Sequence, residues 1–248
     1  MTFCDAHIHL SHSCLPILSP DEEYFCVSSC HSKKDFEASG RSFISFGIHP
    51  QIVTESYLDK DFYSDLAYLE YLLAAKKIVA IGECGFDFFT PEFKSTAKEQ
   101  ETAFEAQLDL AQKYNVPLVL HLRKSIEKIF SYHRRLKNLP SVVFHSFPGT
   151  LREAESLKNH GINAFFSFGK PILNGKKSAI DCVKNLPLGN ILFETDAPYQ
   201  TLKGESETKS EEIKRVYKAA CELRLIKMED MCSQIAANFK RAYFFSPM

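Results

Sequence analysis

The feature that most constrains how this chain can fold is a regular alternation of short apolar runs with amphipathic ones. Eight runs have the length and apolar content of buried β-strands, and segments with helical periodicity separate most of them. Strands that alternate with helices favour a parallel sheet, so these units predict a single (β/α)8 barrel of the α/β class, a TIM barrel. The predicted strands cover residues 3–10, 24–29, 42–48, 77–83, 117–122, 141–147, 164–168 and 190–195.

The predicted helices are clearest at residues 96–114, where Phe104, Leu108 and Ala111 form one apolar stripe. The segment 10–41 is too short for two full helices, so we expect the first helix to be missing or vestigial. The remaining predicted helices cover residues 61–77, 125–137, 150–159, 177–184, 209–225 and 228–244.

Composition predicts one globular domain over residues 1–248, because the chain has no repeat and no break in composition. No run approaches the ~18 apolar residues of a membrane helix, and no secretory signal pattern is visible. The eight cysteines are scattered and contain no C-x-x-C pair, so we expect them to be reduced in a cytoplasmic protein that contacts no membrane. A net charge of −1 argues against nonspecific wrapping of nucleic acid but allows a local basic site.

Polar residues that a packed core does not require close the predicted strands or follow them. The carboxyl ends of barrel strands meet at one mouth, so these side chains are expected to converge there. Strand parity agrees, because Val119, His121 and Arg123 share one face of their strand. The candidates are His7, His9, His49, Glu83, His121, His145 and Asp196.

This mixture of imidazoles and carboxylates suits Zn²⁺ or Mn²⁺, and a carboxylate can bridge two cations where a single imidazole cannot. Two cations roughly 3.5–4 Å apart can clamp a phosphodiester or acyl centre and turn a water into hydroxide. Any one of these residues alone is more often a buried, hydrogen-bonded side chain or a helix cap. The whole set at the strand ends predicts a metal centre.

Six motifs, in chain order, resemble those of the TatD family of metal-dependent hydrolases. They begin with Asp-Ala-His-Ile-His-Leu at 5–10 and end with Glu-Thr-Asp-Ala-Pro-Tyr at 194–199. The others are Gly-Ile-His-Pro, Ile-Gly-Glu-Cys-Gly-Phe-Asp, His-Leu-Arg and His-Ser-Phe-Pro-Gly, at 47–50, 81–87, 121–123 and 145–149. Residues 107–111 and 238–241 extend the resemblance over nearly the whole chain.

This resemblance implies a TIM-barrel enzyme of the amidohydrolase superfamily, with deoxyribonuclease activity as the usual attribution. It implies two divalent metal ions per subunit, Zn²⁺, Mn²⁺ or Mg²⁺. The ligands that it implies are His7, His9 and Asp196 for one ion, His121 and His145 for the other, and Glu83 as the bridge.

The resemblance also implies roles in catalysis and in substrate binding. Asp196 could receive a proton from the attacking water, which makes it, with Glu83, a candidate catalytic residue. His49 and Arg123 would face the substrate, and the planar fork of Arg123 suits a phosphate.

Four departures from the family pattern concern the mouth of the barrel and leave the predicted ligands intact. The segment between His9 and Gly47 is shorter than the family usually shows. Ser11 stands where an acid often follows the first motif, and Gln51 stands where a second histidine is common. Residues 203–209 replace an Arg-Asn-x-Pro sequence that often follows the last aspartate. These departures therefore bear on the substrate more than on the metals.

Several further side chains have two readings each. Asp5 and Glu194 have the parity of the ligands, and either orient imidazoles or bond to the backbone. Phe88 and Phe89 either stack on a base or pack at the rim. Three lysines after the seventh strand are candidates for contacts to a nucleic acid backbone, and four histidines in loops or on polar helices are expected to be solvated. These are Lys170, Lys176 and Lys177, and His12, His31, His133 and His160.

The predicted function is that of a divalent-metal-dependent deoxyribonuclease, a 3'-end exonuclease that uses metal-activated hydroxide. Single-stranded DNA or a frayed end is the expected substrate, and no obligate protein partner is evident. One alternative is an ester or amide hydrolase of the same superfamily, of the lactonase or aminoacyl-ester deacylase type. Another is a non-catalytic metal-binding or scaffold protein, which predicts a broken ligand position, and none is broken.

Overall fold

Eight parallel strands pair in chain order into one sheet, which confirms the predicted (β/α)8 barrel. The architecture is that of a computed structural model of the chain, which describes residues 1–40 and 42–244. Arg41, in the predicted segment 10–41, and residues 245–248, in the predicted domain 1–248, lie outside the described residues. The strands are β1 Thr2–Ile8, β2 Glu23–Cys30, β3 Phe43–Phe46, β4 Ala80–Asp87, β5 Leu118–Arg123, β6 Val142–Phe144, β7 Ala164–Phe168 and β8 Ile191–Phe193.

The predicted loss of the first helix is confirmed, because the described residues between β1 and β2 form no helix and α1 has six residues. The helix predicted at 125–137 is instead two short helices, α6 and α7, separated by a tight turn at Ser131. The α-helices of the described chain are α1 Lys33–Ala38, α2 Glu55–Lys60, α3 Phe62–Ala74, α4 Pro91–Ser95, α5 Ala97–Tyr114, α6 Ile126–Phe130, α7 His133–Leu136, α8 Leu151–Asn159, α9 Lys177–Asn185, α10 Ile213–Arg224 and α11 Met228–Tyr243. None of them, within these described residues, has the length and apolar character to cross a membrane.

The ends of β4 and β5 were predicted wrongly. Glu83 does not close β4, because that strand continues to Asp87, which pairs with Arg123 at the end of β5. His121 likewise lies within β5, two residues before its end. Two predicted ligands therefore belong to the hydrogen-bonded sheet itself, which holds them more rigidly than a loop would.

Two glycines let β4 and β5 approach each other beside these ligands. Gly82 and Gly85 have φ angles of 137° and 133°, a region that residues with a Cβ rarely adopt. A Cβ at Gly85 would overlap the carbonyl oxygen of His121, and a Cβ at Gly82 would overlap that of Val119. A side chain at either glycine would thus separate the strands that carry the candidate site.

The amphipathic helix α5 fixes β4 and the segment after β3. Its predicted apolar stripe is buried, and the ring centre of Phe104 lies 4.9 Å from that of Phe86 in β4. The side chain of Gln107 accepts a hydrogen bond from the amide of Ile48 at 2.8 Å and donates one to its carbonyl at 3.1 Å. This pair of bonds positions His49, the next residue.

Asp5, for which two roles were open, fastens β1 to the segment after β8. Its buried carboxylate accepts hydrogen bonds from the amide and the hydroxyl of Thr195, at 3.0 and 2.6 Å, and from the hydroxyl of Tyr24 at 2.9 Å. The amide of His7 is the fourth donor, at 3.2 Å. Burial raises the pKa of Asp5 to about 7, although these donors act to lower it. Since all four partners are amides or hydroxyls, Asp5 closes the barrel and does not orient an imidazole ring.

Candidate metal centre

The predicted site residues converge at the mouth of the barrel, on a cavity of about 760 Å³. The seven that line the cavity are His9, His49, Glu83, His121, Arg123, His145 and Asp196. His7, the remaining one, is completely buried beneath them. All eight candidates from the sequence are therefore brought together.

One oxygen of Glu83 faces the imidazoles of β1. Its Oε1 lies 3.2 Å from Nε2 of His7 and 3.6 Å from Nε2 of His9, and these two nitrogens are 3.3 Å apart. Oδ1 of Asp196 completes the group, at 3.4 Å from His9 and 3.7 Å from His7. Two nitrogens and two carboxylate oxygens thus point at one small volume.

The other oxygen of Glu83 faces a second set of imidazoles. Its Oε2 lies 3.1 Å from Nδ1 of His121, 3.5 Å from Nε2 of His145 and 3.8 Å from Nε2 of His49. A single carboxylate therefore stands between two groups of nitrogen atoms, as a bridge between two cations would.

The donor set fits a divalent cation. Three triplets of residues each offer ligand atoms that lie within 4.8 Å of one another. Zn²⁺ and Mn²⁺ both bind mixtures of imidazole nitrogen and carboxylate oxygen. A cation placed among these carboxylate oxygens and imidazole nitrogens would be stabilised by both kinds of atom. The triplets are His7, His145 and Asp196; His7, His9 and Glu83; and His49, Glu83 and His121.

The ionisation of the cluster follows the balance between burial and opposite charge. Burial by itself would raise the pKa of Glu83, but His7 and His145 outweigh it and hold that pKa well below its usual range. The pKa of Asp196 is lowered for the same reason, chiefly through His145. Burial alone would lower the pKa of His145, whereas nearby carboxylates, Glu194 first, raise it to about 10. The carboxylates are thus charged and collect positive charge around them.

Glu194 takes the orienting role of its two predicted readings. Its Oε2 accepts a hydrogen bond from Nδ1 of His145 at 3.0 Å, and its Oε1 accepts one from the amide of Ser146 at 2.9 Å. The bond to Nδ1 leaves Nε2 of His145 to face Glu83, which is the usual way in which a carboxylate fixes a ligand ring.

Asp87 plays the same part for His121, and sequence reasoning assigned it no role. Its Oδ2 lies 3.1 Å from Nε2 of His121, so the other ring nitrogen is turned toward Glu83. The same oxygen accepts a hydrogen bond from the side chain of Gln51 at 2.7 Å, and Arg123 lies 3.6 Å away. Gln51, one of the departures from the family pattern, therefore acts through Asp87.

Three residues at the mouth of the barrel have a left-handed backbone conformation. Ser146, Asp196 and Gln200 have φ angles of 43°, 54° and 54°, which residues other than glycine seldom adopt and which are common at functional sites. The side-chain amide of Gln200 donates to Oδ2 of Asp196 at 3.0 Å and to the hydroxyl of Ser146 at 3.0 Å. These bonds hold the carboxylate of Asp196 with Oδ1 turned toward the imidazoles.

The rim of the cavity carries Arg123, Phe89 and Lys176. The guanidinium carbon of Arg123 lies 4.0 Å from the ring centre of Phe89, and each of these side chains remains close to half exposed. Phe88 packs against the core instead, and base stacking by Phe89 stays a prediction.

The prediction that Lys170 reaches the substrate is wrong. Its side chain is buried, with 1% of its surface exposed, and it pairs with Glu205 and, at 3.6 Å, with Glu212. Because both acids come from the segment after β8 that folds over Lys170, its charge ties that segment to the barrel.

The prediction that His31 is solvated is also wrong. His31 follows β2 and lines the cavity, with Nε2 at 3.2 Å from Oε1 of Glu83. Its parity with Ser29 on β2 was the available signal, but no motif marks this strand end. Of the other histidines grouped with it, His12 and His160 are exposed as predicted and His133 is half-buried.

A model of the family described as TatD related DNase matches residues 4–244. The chain belongs to this family. The metal-dependent hydrolase YjjV of Escherichia coli is 31% identical over 204 residues, which cover 79% of this chain and 74% of YjjV. Its crystal structure superposes with a TM-score of 0.82 at 25% identity and covers 98% of each chain.

A second E. coli relative, named 3'-5' ssDNA/RNA exonuclease TatD, is 37% identical over 131 residues, 52% of this chain. The match spans about half of the length of the curated relatives named as nucleases. A TatD family hydrolase from Entamoeba histolytica, 19% identical with a TM-score of 0.77, shares the fold. The predicted family, the predicted barrel and the predicted class of metal-dependent hydrolase are therefore confirmed.

Proposed function

We propose that this chain is a metal-dependent deoxyribonuclease that removes nucleotides from the 3' end of single-stranded or frayed DNA without an obligate protein partner. The observation that carries the proposal is the position of Glu83, whose two oxygens face two sets of imidazoles at the base of the mouth cavity. The relative named 3'-5' ssDNA/RNA exonuclease supports the direction and the single strand.

The proposed cofactor is a pair of divalent ions, Zn²⁺, Mn²⁺ or Mg²⁺. Cations in this place supply Lewis acidity toward a phosphate ester and make water a stronger nucleophile at neutral pH. The proposed ligands are those that the family resemblance implies: His7, His9 and Asp196 for one ion, His121 and His145 for the other, and Glu83 for both. In the structure His145 also lies close to His7 and Asp196, and His49 lies close to Glu83 and His121.

Asp196 is the proposed proton acceptor for the attacking water. Its lowered pKa keeps the carboxylate charged, and the hydrogen bond from Gln200 fixes one of its oxygens. The other oxygen is directed into the ligand cluster, where it lies 3.4 Å from Nε2 of His9. These contacts support Asp196 as the general base, which must be held within reach of the reacting group.

Three side chains are proposed to bind the substrate. Arg123 offers its exposed guanidinium to a phosphate, and the exposed ring of Phe89 offers a stacking face to a base. Nδ1 of His49 accepts a hydrogen bond from the amide of Gln51 at 3.2 Å, so Nε2 is the nitrogen that faces the cavity, where it lies 3.2 Å from Nδ1 of His121.

The size of the cavity favours a strand end. About 760 Å³ lies in the range of pockets that enclose one small ligand, so a terminal nucleotide fits the space better than the middle of a duplex does.

The test of this function uses protein stripped of metal and single-stranded DNA labelled at either end. We expect no cleavage until Mg²⁺, Mn²⁺ or Zn²⁺ is returned, and then stepwise shortening of 5'-labelled DNA with release of single labelled nucleotides from the 3' label. DNA that stays intact with every metal, while esters or amides are hydrolysed, would transfer the proposal to the other hydrolase class.

Lys176 and Lys177 allow a matched test of whether a lysine at the rim contacts the DNA backbone. Both side chains are exposed, but only Lys176 lines the cavity. We expect Lys176→Ala to raise KM for single-stranded DNA, and to reduce the slope of log KM against log salt by about 0.7, the value for one lost phosphate contact. Lys177→Ala should leave both quantities unchanged. Equal effects of the two substitutions would show that Lys176 makes no specific contact.

Two further proposals concern the whole chain. We propose that residues 1–248 form a single domain, which the family match over residues 4–244 supports. We also propose a cytoplasmic location, in keeping with eight cysteines that are all unpaired.

A further inference from the structure

His31 occupies a position in the site that neither the motifs nor the family resemblance assigns. Its ring lies on the cavity wall between two candidate residues, with ring centres 5.7 Å from His9 and 5.1 Å from His49. Its Nε2 is 3.2 Å from Oε1 of Glu83, the oxygen that also faces Nε2 of His7 at 3.2 Å. His31 and His7 therefore face the same oxygen of Glu83 at the same distance.

The backbone fixes which ring nitrogen of His31 carries the hydrogen. Nδ1 lies 3.1 Å from the carbonyl oxygen of Gly47, which can only accept, so Nδ1 is the donor. In the neutral ring, Nε2 then presents a lone pair to the charged carboxylate of Glu83. The hydroxyl of Ser29 is 3.4 Å from both acceptors, but its one hydrogen can satisfy only one of them.

Two facing acceptors 3.2 Å apart are unfavourable unless positive charge lies between them. A cation that both atoms bind removes the conflict, and so does a second proton on the ring. The cation fits better with the neighbouring nitrogens, because His7 and His9 turn Nε2 toward the same oxygen of Glu83.

The position of His31 is built into the fold. Its amide donates to Oδ2 of Asp35 at 3.4 Å, and Asp35 is itself held by the cap of α1, where the hydroxyl of Ser32 accepts from the Asp35 amide. A Cβ at Gly47 would lie 2.8 Å from the carbonyl oxygen of Glu83. Only glycine at position 47 therefore lets the segment whose carbonyl bonds to His31 lie this close to β4. The ring is thus oriented before any ligand binds.

We propose that Nε2 of His31 is an additional ligand to the cation that His7, His9 and Glu83 hold. This inference rests on the proposed metal centre and deepens it. A third imidazole in this half of the site favours a metal that accepts nitrogen, such as Zn²⁺, over Mg²⁺, which prefers oxygen ligands and water. The structure thereby gives this chain a metal preference that its motifs do not contain.

The test compares His31→Ala and His31→Gln with wild-type protein, and uses His160→Ala as the control because His160 is an exposed histidine outside the cavity. Affinity for Zn²⁺ and for Mg²⁺ is measured by competition with a chelator, and Co²⁺-loaded protein is followed by its visible absorption spectrum. We expect both His31 variants to bind Zn²⁺ at least about tenfold more weakly, to lose relatively less affinity for Mg²⁺ and to change the Co²⁺ spectrum. His160→Ala should match wild type.

Two outcomes would overturn the inference while leaving the metal centre in place. Unchanged affinity and spectrum in His31→Ala would show that the ring is no ligand. Recovery of both in His31→Gln would show that Glu83 needs only a hydrogen-bond donor at this place. Failure of the wild-type protein to bind any of these ions would instead overturn the proposed function itself.

Discussion

Asp196→Asn is expected to lower kcat for single-stranded DNA by roughly 10²- to 10⁴-fold, the contribution of a positioned general base. Asparagine keeps the shape of the side chain and can still bond to Gln200, which donates to Oδ2 of Asp196 at 3.0 Å. It cannot take up a proton at neutral pH, and it removes the negative charge that lies 3.4 Å from His9. Because Asp196 is also a proposed ligand, the assay is run with excess metal, and the loss should then appear mainly in kcat, with a smaller change in KM.

The control for this prediction is Asp59→Asn, which removes the same charge from an exposed residue of α2. It should behave as wild type in steady-state kinetics on end-labelled DNA. Circular dichroism of Asp196→Asn should match wild type as well, because the backbone bonds that hold this segment do not involve the side chain. Full activity in Asp196→Asn would show that the assigned site is wrong.

Much of the fold could be predicted because the barrel repeats one local rule. Each strand is an apolar run, and successive side chains along a strand point to opposite faces of the sheet. The residues on the inward face of β5 could therefore be predicted from Val119 and His121 alone. The convergence of seven distant residues then needs only the general property that barrel strands open at one mouth. Strand parity does not predict the hydrogen-bond partner of a side chain. Asp5 and Glu194 have the same parity, but only Glu194 bonds to an imidazole.

Two side chains that sequence reasoning misjudged, His31 and Lys170, lie outside the strands, where no strand or helix period sets their direction. His31 sits in the turn after β2, and its direction depends on the carbonyl of Gly47 in another loop. Lys170 looked available because it follows β7, but its environment is set by Glu205 and Glu212, which come from the segment after β8. Contacts between loops depend on the whole tertiary structure, which no local pattern of a single sequence records.

Glu83→Gln is the second substitution with a large expected effect, and it acts on the metals before it acts on catalysis. Glutamine keeps one oxygen but replaces the other with an amide NH2 group, which can only donate hydrogen bonds. Oε1 of Glu83 faces His7 at 3.2 Å and Oε2 faces His121 at 3.1 Å, so one of the two imidazole groups must lose its shared carboxylate oxygen. The removed charge also supports the raised pKa of His145.

We therefore expect Glu83→Gln to weaken binding of at least one ion by more than the roughly 10- to 100-fold that follows loss of an orienting partner. Turnover should fall with it, and added metal should restore only part of the rate. Glu155→Gln on the exposed face of α8 makes the same chemical change away from the site and should bind metal as wild type does. Metal content after dialysis and isothermal titration decide the matter. Two tightly bound ions in Glu83→Gln would mean that the two groups of imidazoles bind their metals independently, and that Glu83 is not the residue that couples them.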